Sequence, residues 1–292
     1  MLENKLILGT VQMGLPYGIN NDQGQITEKD SIEILRYAFQ NGINYLDTAE
    51  AYGTAHAVIG KYHQLHPDNK FHVITKLPHH IDQNIAFKVD VYLNELNVTS
   101  LHALLFHSYA SYKENIENLH LLITSKENGK IEKLGVSVYT NDQIDDVICD
   151  ENIDIIQLPY NIFDNKNQRG IYLGKIKQSG KTIHTRSCFL QGLFFSSINS
   201  EKPIVKKLRN ELIKIQNIAL QNEISIQTIA LNYCLQESLI DQVLIGVDTL
   251  DQLKKNISDS QLNISNQIVD KINSTIIIEN ENLLNPSLWN NL

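Results

Sequence analysis

Four side chains suited to proton transfer onto a carbonyl fall at or just past the ends of strand-like runs: Asp47, Tyr52, Lys76 and His107. The segment YLDTAEAYGTA, residues 45–55, carries the first two. An apolar run stops at Asp47, and Tyr52 follows on the next loop, directly before Gly53. Lys76 closes the run HVITK, and His107 lies at the end of ALLFHS. A free tyrosine ionises at about pH 10, and a neighbouring ammonium lowers that value by favouring the phenolate. A carboxylate paired with the lysine keeps it charged and in place. A histidine beside the phenol can orient a carbonyl oxygen. Together they would form a general acid that protonates a carbonyl as a hydride arrives. Each residue also has an ordinary use: turn aspartate, solvated strand-end lysine, satisfied buried histidine, packing tyrosine. Their coincidence at successive strand ends carries the functional reading.

The elements that must position them are read from apolar periodicity. Eight short runs, many of them β-branched, lie at residues 5–9, 44–47, 72–76, 103–108, 133–138, 155–159, 182–187 and 242–247. Such runs are typical of strands buried in a parallel sheet. Amphipathic helical patterns separate them. Those at 30–40, 82–96, 114–127, 203–221, 226–235 and 250–257 are the clearest, with Asn141-Asp142 as a cap for the helix before Cys149. Eightfold strand–helix alternation predicts an α/β chain with one (β/α)8 TIM barrel domain over residues 1–292. A doubly wound open sheet would carry GxGxxG after its first strand, whereas this chain reads Gly9-Thr10-Val11-Gln12-Met13-Gly14. In a barrel of this kind the strand C-termini meet at one mouth, so the four residues converge.

Composition narrows the partners. The 292 residues carry a net charge of −8, with a pI near 5.7. This argues against non-specific binding to nucleic acid or to an anionic membrane surface. Three scattered cysteines, Cys149, Cys188 and Cys234, form neither a disulfide framework nor a metal motif. No secretory leader is evident, and no apolar run approaches the ~20 residues needed to span a bilayer. The expectation is a cytoplasmic protein acting on a small molecule. No metal site is expected, and the sequence sets no oligomeric state.

The chain resembles the aldo-keto reductase superfamily through LDTAEAYG (46–53), VITKL (73–77), LLFHS (104–108), LGVSVY (134–139), IIQLPYN (155–161), SCFLQGLFF (187–195) and VLIGVDTLDQLKKN (243–256). These segments follow the family's order over nearly the whole length. The resemblance implies a nicotinamide cofactor, NADPH or NADH, bound without a Rossmann fold. It implies Tyr52 as proton donor, Lys76 and Asp47 as its tuners, and His107 as the group that orients the substrate. Ser137 and Gln157 match residues holding the carboxamide. Gly9 and Thr10 match the first cofactor-contacting loop. Gln191, Gly192 and Leu193 match the loop over the pyrophosphate. Gln252 and Asn256 match the adenosine end. Arg186, Ser187, Gly246 and Asp248 complete the implied cofactor set.

Three positions depart from common family usage. Arg186 stands where many relatives stack an aromatic ring on the nicotinamide. Val138 stands where many carry Asn. Asp248 and Gln252 fall where many NADPH users carry cations for the 2′-phosphate. NADPH is the family expectation, and Asp248 leaves NADH as the alternative. The implied reaction is reduction of a small carbonyl compound. Polar loop residues (Asn20, Asn21, His79, His80, Asn161, Arg186) lean toward a hydroxylated or anionic substrate, a sugar or sugar nucleotide among the candidates. Tyr17, Tyr109 and Trp289 are candidate pocket walls. The alternatives are non-redox lyase or epimerase chemistry, motivated by Arg186, and a cofactor-sensing subunit.

Overall fold

Eight runs of three to seven residues form parallel strands in the computed structural model, which describes residues 4–81 and 84–291. They are β1 (Leu6–Gly9), β2 (Tyr45–Asp47), β3 (His72–Leu77), β4 (Leu101–Phe106), β5 (Ile131–Ser137), β6 (Ile155–Pro159), β7 (Thr182–Arg186) and β8 (Gln242–Ile245). Each pairs with the next, and β8 returns to β1, closing a (β/α)8 barrel. Closure leaves the sheet no open edge. The eightfold alternation therefore gives the expected architecture, with each strand shifted by no more than two residues at either end.

Strand residues alternate between two cores. Ile7, Ile74, Ala103, Leu105 and Ile155 fill the barrel interior. A larger apolar layer, including Leu8, Leu46, Val73, Leu104, Ile156 and Ile183, packs the outer sheet face against helices. Each such aliphatic side chain contributes roughly 1.5–3 kcal/mol when fully buried. Register brings the strand ends to common levels: Gly9 opposes Asp47, Ser137 opposes Gln157, and Pro159 opposes Arg186.

Helix boundaries follow local capping more closely than periodicity. The first long helix is Glu28–Gln40, capped by Thr27. Thr140, one residue before the expected cap, closes a capping box with Gln143 at the start of Asn141–Val147. The pattern at 114–127 starts on the last residue of the helix Tyr109–Glu114 and continues as a 3-10 turn, Ile116–Asn118, and the helix Leu119–Glu127. That at 203–221 breaks at Leu208 into Pro203–Lys207 and Arg209–Gln221. The pattern at 82–96 appears as Ile85–Leu96, capped by Asn84, while residues 82 and 83 lie outside the described residues. Ser225 and Thr249 cap Ile226–Leu235 and Leu250–Asp259. Among the described residues no helix is long and apolar enough to cross a membrane.

Candidate active site

The turn after β2 places a carboxylate and a phenol together. Past Asp47 the backbone keeps bonding to β3: Thr48 N–H donates to Ile74 O at 2.8 Å, and Glu50 N–H to Lys76 O at 3.2 Å. The chain then turns, with Tyr52 N–H on Ala49 O at 3.0 Å. The Glu50 carboxylate ties this turn to the helix Ile85–Leu96, accepting from Lys88 Nζ at 3.0 Å and from the Tyr92 hydroxyl. Gly53 adopts φ +54°, and a Cβ there would lie 2.4 Å from Gly14 O. A Cβ on Gly14 would lie 1.7 Å from Tyr52 O. Only two glycines permit this approach, which presses the Tyr52 turn against the loop after β1.

Asp47 and Lys76 are 1% and 2% exposed and form an ion pair through Oδ1 and Nζ. Charges removed this far from water survive only when paired and hydrogen-bonded. Here Gln157 Nε2 donates to Asp47 Oδ2 at 2.8 Å, and Lys76 Nζ donates to Thr48 O at 3.0 Å. The ammonium stands 5.3 Å from the centre of the Tyr52 ring, and the His107 ring meets Tyr52 edge-on at 5.6 Å. Desolvation, reinforced by the Asp47 carboxylate, raises the Tyr52 pKa well above its ordinary value, and Arg186 opposes the rise. The phenol is therefore protonated at neutral pH, and the lowering expected from Lys76 does not appear: the one cation that opposes the rise is Arg186. Burial, together with the cations of Lys76 and Arg186 and the nearby His79 ring, pushes His107 down to about 2, so its imidazole is neutral. A neutral imidazole can direct a carbonyl oxygen without adding charge.

These groups line one end of a cavity of about 880 Å³ that continues across the barrel mouth. Its chemistry suits a nicotinamide dinucleotide. Gln157 is buried, its amide N–H is engaged by Asp47, and its Oε1 has no partner, leaving an acceptor for a carboxamide N–H. Ser137 presents its hydroxyl beside it. Gly9 and Thr10 line the wall at the end of β1, and Gly246 lies across from Gln12, whose side chain a Cβ there would meet at 2.8 Å. After β7 the backbone is left-handed at Ser187, Leu190, Gln191 and Gly192. Non-glycine residues in this region cost on the order of 1 kcal/mol each, strain of a kind concentrated at ligand clamps. Bonds across the mouth hold this loop to the loop after β1: Gln191 Nε2 to Tyr17 Oη at 2.9 Å, and Asn20 Nδ2 to Gly192 O at 2.8 Å. At the far end lie Asp248, Gln252 and Asn256, around the N-terminus of the helix Leu250–Asp259. Free N–H groups at such an N-terminus favour phosphate.

Of the residues expected to be catalytic or to bind cofactor, Leu193 alone does not line this cavity; it packs in the outer core. Tyr17, Asn20, Asn21 and His79 do line it, and the His79 ring stacks on His107 at 4.5 Å. Asn161 is buried, accepting from Phe163 and Asp164 N–H, and so is structural. Tyr109 bonds Asp146 outside the cavity, and His80 is not among its lining residues. Trp289 anchors the tail by donating to Leu283 O, which leaves Asn285, Pro286 and Ser287 at the mouth. Tyr139 is a lining residue the sequence reading missed, although it closes the quoted LGVSVY segment. One group of metal-ligand types, His72, His102 and Glu132, has ligand atoms within 4.8 Å of one another. It lies near the opposite, N-terminal ends of β3 to β5, where His102 Nδ1 and Glu132 Oε2 are 2.8 Å apart.

Known proteins share both the sequence pattern and the fold. The NADH-specific methylglyoxal reductase of Escherichia coli (strain K12) is 21% identical over 281 residues, covering 83% of this chain and 86% of that protein. The holo form of aldo-keto reductase AKR11C1 from Bacillus halodurans superposes with a TM-score of 0.77 at 19% identity, covering 95% and 94% of the two chains. Glycerol dehydrogenase AKR11B4 from Gluconobacter oxydans gives 0.73 at 20% identity, covering 93% and 90%. The sequence model of the Aldo/keto reductase family matches residues 5–277. With nearly the whole length matched, this chain belongs to the aldo/keto reductase family of NAD(P)H-dependent oxidoreductases.

Proposed function

We propose that this enzyme reduces the carbonyl of a small polar aldehyde or ketone to an alcohol, with Tyr52 as proton donor and NADH as the preferred reductant. The observation that carries the reading is the Tyr52 ring set between a buried Lys76–Asp47 pair and the His107 ring, all facing one cavity. The nicotinamide, when bound, supplies the hydride. His107 and Tyr52 direct the substrate oxygen, and Tyr52 donates its proton there as negative charge develops. Lys76, held by Asp47, offsets the phenolate left behind. Ser137 and Gln157 would hold the carboxamide, and the Gln191–Gly192 loop with the helix start at Leu250 would hold the pyrophosphate.

NADH is favoured because the adenosine end presents the Asp248 carboxylate, while Lys254 and Lys255 are paired with Asp251 and Asp259. An NADH-specific relative acting on methylglyoxal supports both the cofactor and a small substrate. Polar mouth residues Asn20, His79 and Ser287 favour a hydroxylated compound, a small sugar among them. The whole chain would act as one domain, in the cytoplasm.

The test is Tyr52→Phe. NADH oxidation with a panel of small aldehydes and hydroxyketones should fall at least about a hundredfold, the usual scale for losing a general acid. NADH affinity should be unchanged within about twofold, because the ring remains. Equal turnover in the variant would remove Tyr52 from the mechanism. NADH bound by the wild type but never consumed with any carbonyl would favour the non-redox alternative.

A further inference from the structure

Arg186 places a permanent positive charge in the cavity without a carboxylate to neutralise it. Its guanidinium lies 3.9 Å from the centre of the Tyr139 ring. Nε donates to Ser137 Oγ at 3.3 Å, Nη1 to Ser187 Oγ at 3.4 Å, and Nη2 to Val138 O at 3.1 Å. All these partners are neutral, and among the described residues Arg186 has no ion pair. The neighbouring acids are committed elsewhere: Asp47 to Lys76, and Asp164 to Arg169 through both oxygens at 2.6 and 2.8 Å. Stacked and bonded at three nitrogens, the group is held in place, and it lines the same cavity as Tyr52, Lys76 and Gln157.

A nicotinamide ring is neutral when reduced and formally positive when oxidised, while the rest of the dinucleotide is unchanged. A fixed charge near the ring therefore acts chiefly on the difference between the two forms. Arginine suits this use better than lysine. It stays charged when desolvated, whereas burial lowers the pKa of Lys76 in the same cavity. We propose that Arg186 makes the site select the reduced cofactor over the oxidised one, so that the enzyme releases its oxidised product readily and works as a reductase rather than a dehydrogenase. This rests on the nicotinamide reading of the cavity given above. Two unit charges a few ångströms apart in a partly solvated site correspond to about a ten- to hundredfold difference in affinity.

Calorimetric titration of the purified protein with NADH and with NAD+ tests this. The wild type should bind NADH at least about tenfold more tightly than NAD+. In Arg186→Met, which keeps the length and apolar stem of the side chain, the ratio should shrink about tenfold or more, mainly through tighter NAD+ binding. A wild type that binds both forms equally overturns the proposal without reference to any variant. So does a folded variant, judged by its thermal transition, that keeps the wild-type ratio. If the wild type binds neither form, the nicotinamide reading itself fails, and this inference fails with it.

Discussion

The carboxylate of Asp248 is half-buried at the end of the cleft away from Tyr52. Asn21 Nδ2 donates to its Oδ1 at 3.2 Å, and its own N–H donates to Gln252 Oε1 at 2.7 Å. The first bond aims the carboxylate, and the second fixes the backbone that carries it. A carboxylate so placed can accept from a ribose hydroxyl and repels a 2′-phosphate, a discrimination that comes from repulsion as much as attraction. The nearby lysines do little to cancel it, since Lys254 and Lys255 are held within their own helix by Asp251 and Asp259 at 3.0 Å. Asp248→Ser should therefore improve NADPH binding relative to NADH by about tenfold, the effect of removing about 1.4 kcal/mol of repulsion. The ratio of the two dissociation constants checks this. An unchanged ratio would place the ribose elsewhere. The residue types at this end were legible in VLIGVDTLDQLKKN because each lies close in sequence to the helix start that organises it. Tyr139 was not, because its contribution arises from stacking on Arg186 across the barrel, a contact between β5's trailing loop and the end of β7 that no local pattern encodes.

The elements act through what braces their ends. The loop after β5 carries Tyr139, and Arg169 reaches it from the helix Lys166–Gln178, donating to Tyr139 O at 2.7 Å and to Asn141 Oδ1 at 2.8 Å. Asp164 completes the brace. Both it and Arg169 are buried, so the charges persist only as a pair. Asp164→Asn keeps the shape but leaves a buried guanidinium uncompensated, a change that typically costs 3–5 kcal/mol. Chemical denaturation should show a loss of about that size. Cofactor affinity should weaken as well, because Tyr139 and the Arg186 it supports lose their backing. An unaltered midpoint would show that water reaches Arg169. Strands were legible at this scale because buried parallel strands read as short apolar runs. Helix interruptions were less so. The break at Leu208 and the 3-10 turn Ile116–Asn118 interrupt patterns whose periodicity runs on, since tertiary packing decides where a helix gives way. Thr140 did carry a readable signal, its T-x-x-Q spacing to Gln143.

Closing the barrel seals polar side chains inside as well as apolar ones, and this gives the whole molecule a pH dependence that the alternation of strands and helices does not announce. His184, in the middle of β7, is 1% exposed, its Nδ1 has no partner, and burial pushes it down to about 3. His63 is also buried, with Nε2 accepting from Phe71 N–H at 3.1 Å and Nδ1 donating to Leu96 O at 2.7 Å, an arrangement only the neutral ring can make. Its pKa is lowered by burial too. A histidine depressed in the folded state contributes its full stability above its unfolded value of about 6.5. As pH falls below that, the unfolded chain takes up protons the folded chain refuses, and stability declines until the folded pKa is reached. At pH 5 His184 alone accounts for about 2 kcal/mol. His63 and the depressed His107 add to the loss in the same direction. Calorimetry should therefore show a melting temperature falling by several degrees between about pH 7 and pH 5, at roughly 2–4 °C per kcal/mol for a chain of this size, before most carboxylates titrate. His184→Gln should shallow that slope by about a third to a half. A flat profile over this range would mean that His184 reaches water, and that the barrel interior opens more readily than its packing implies.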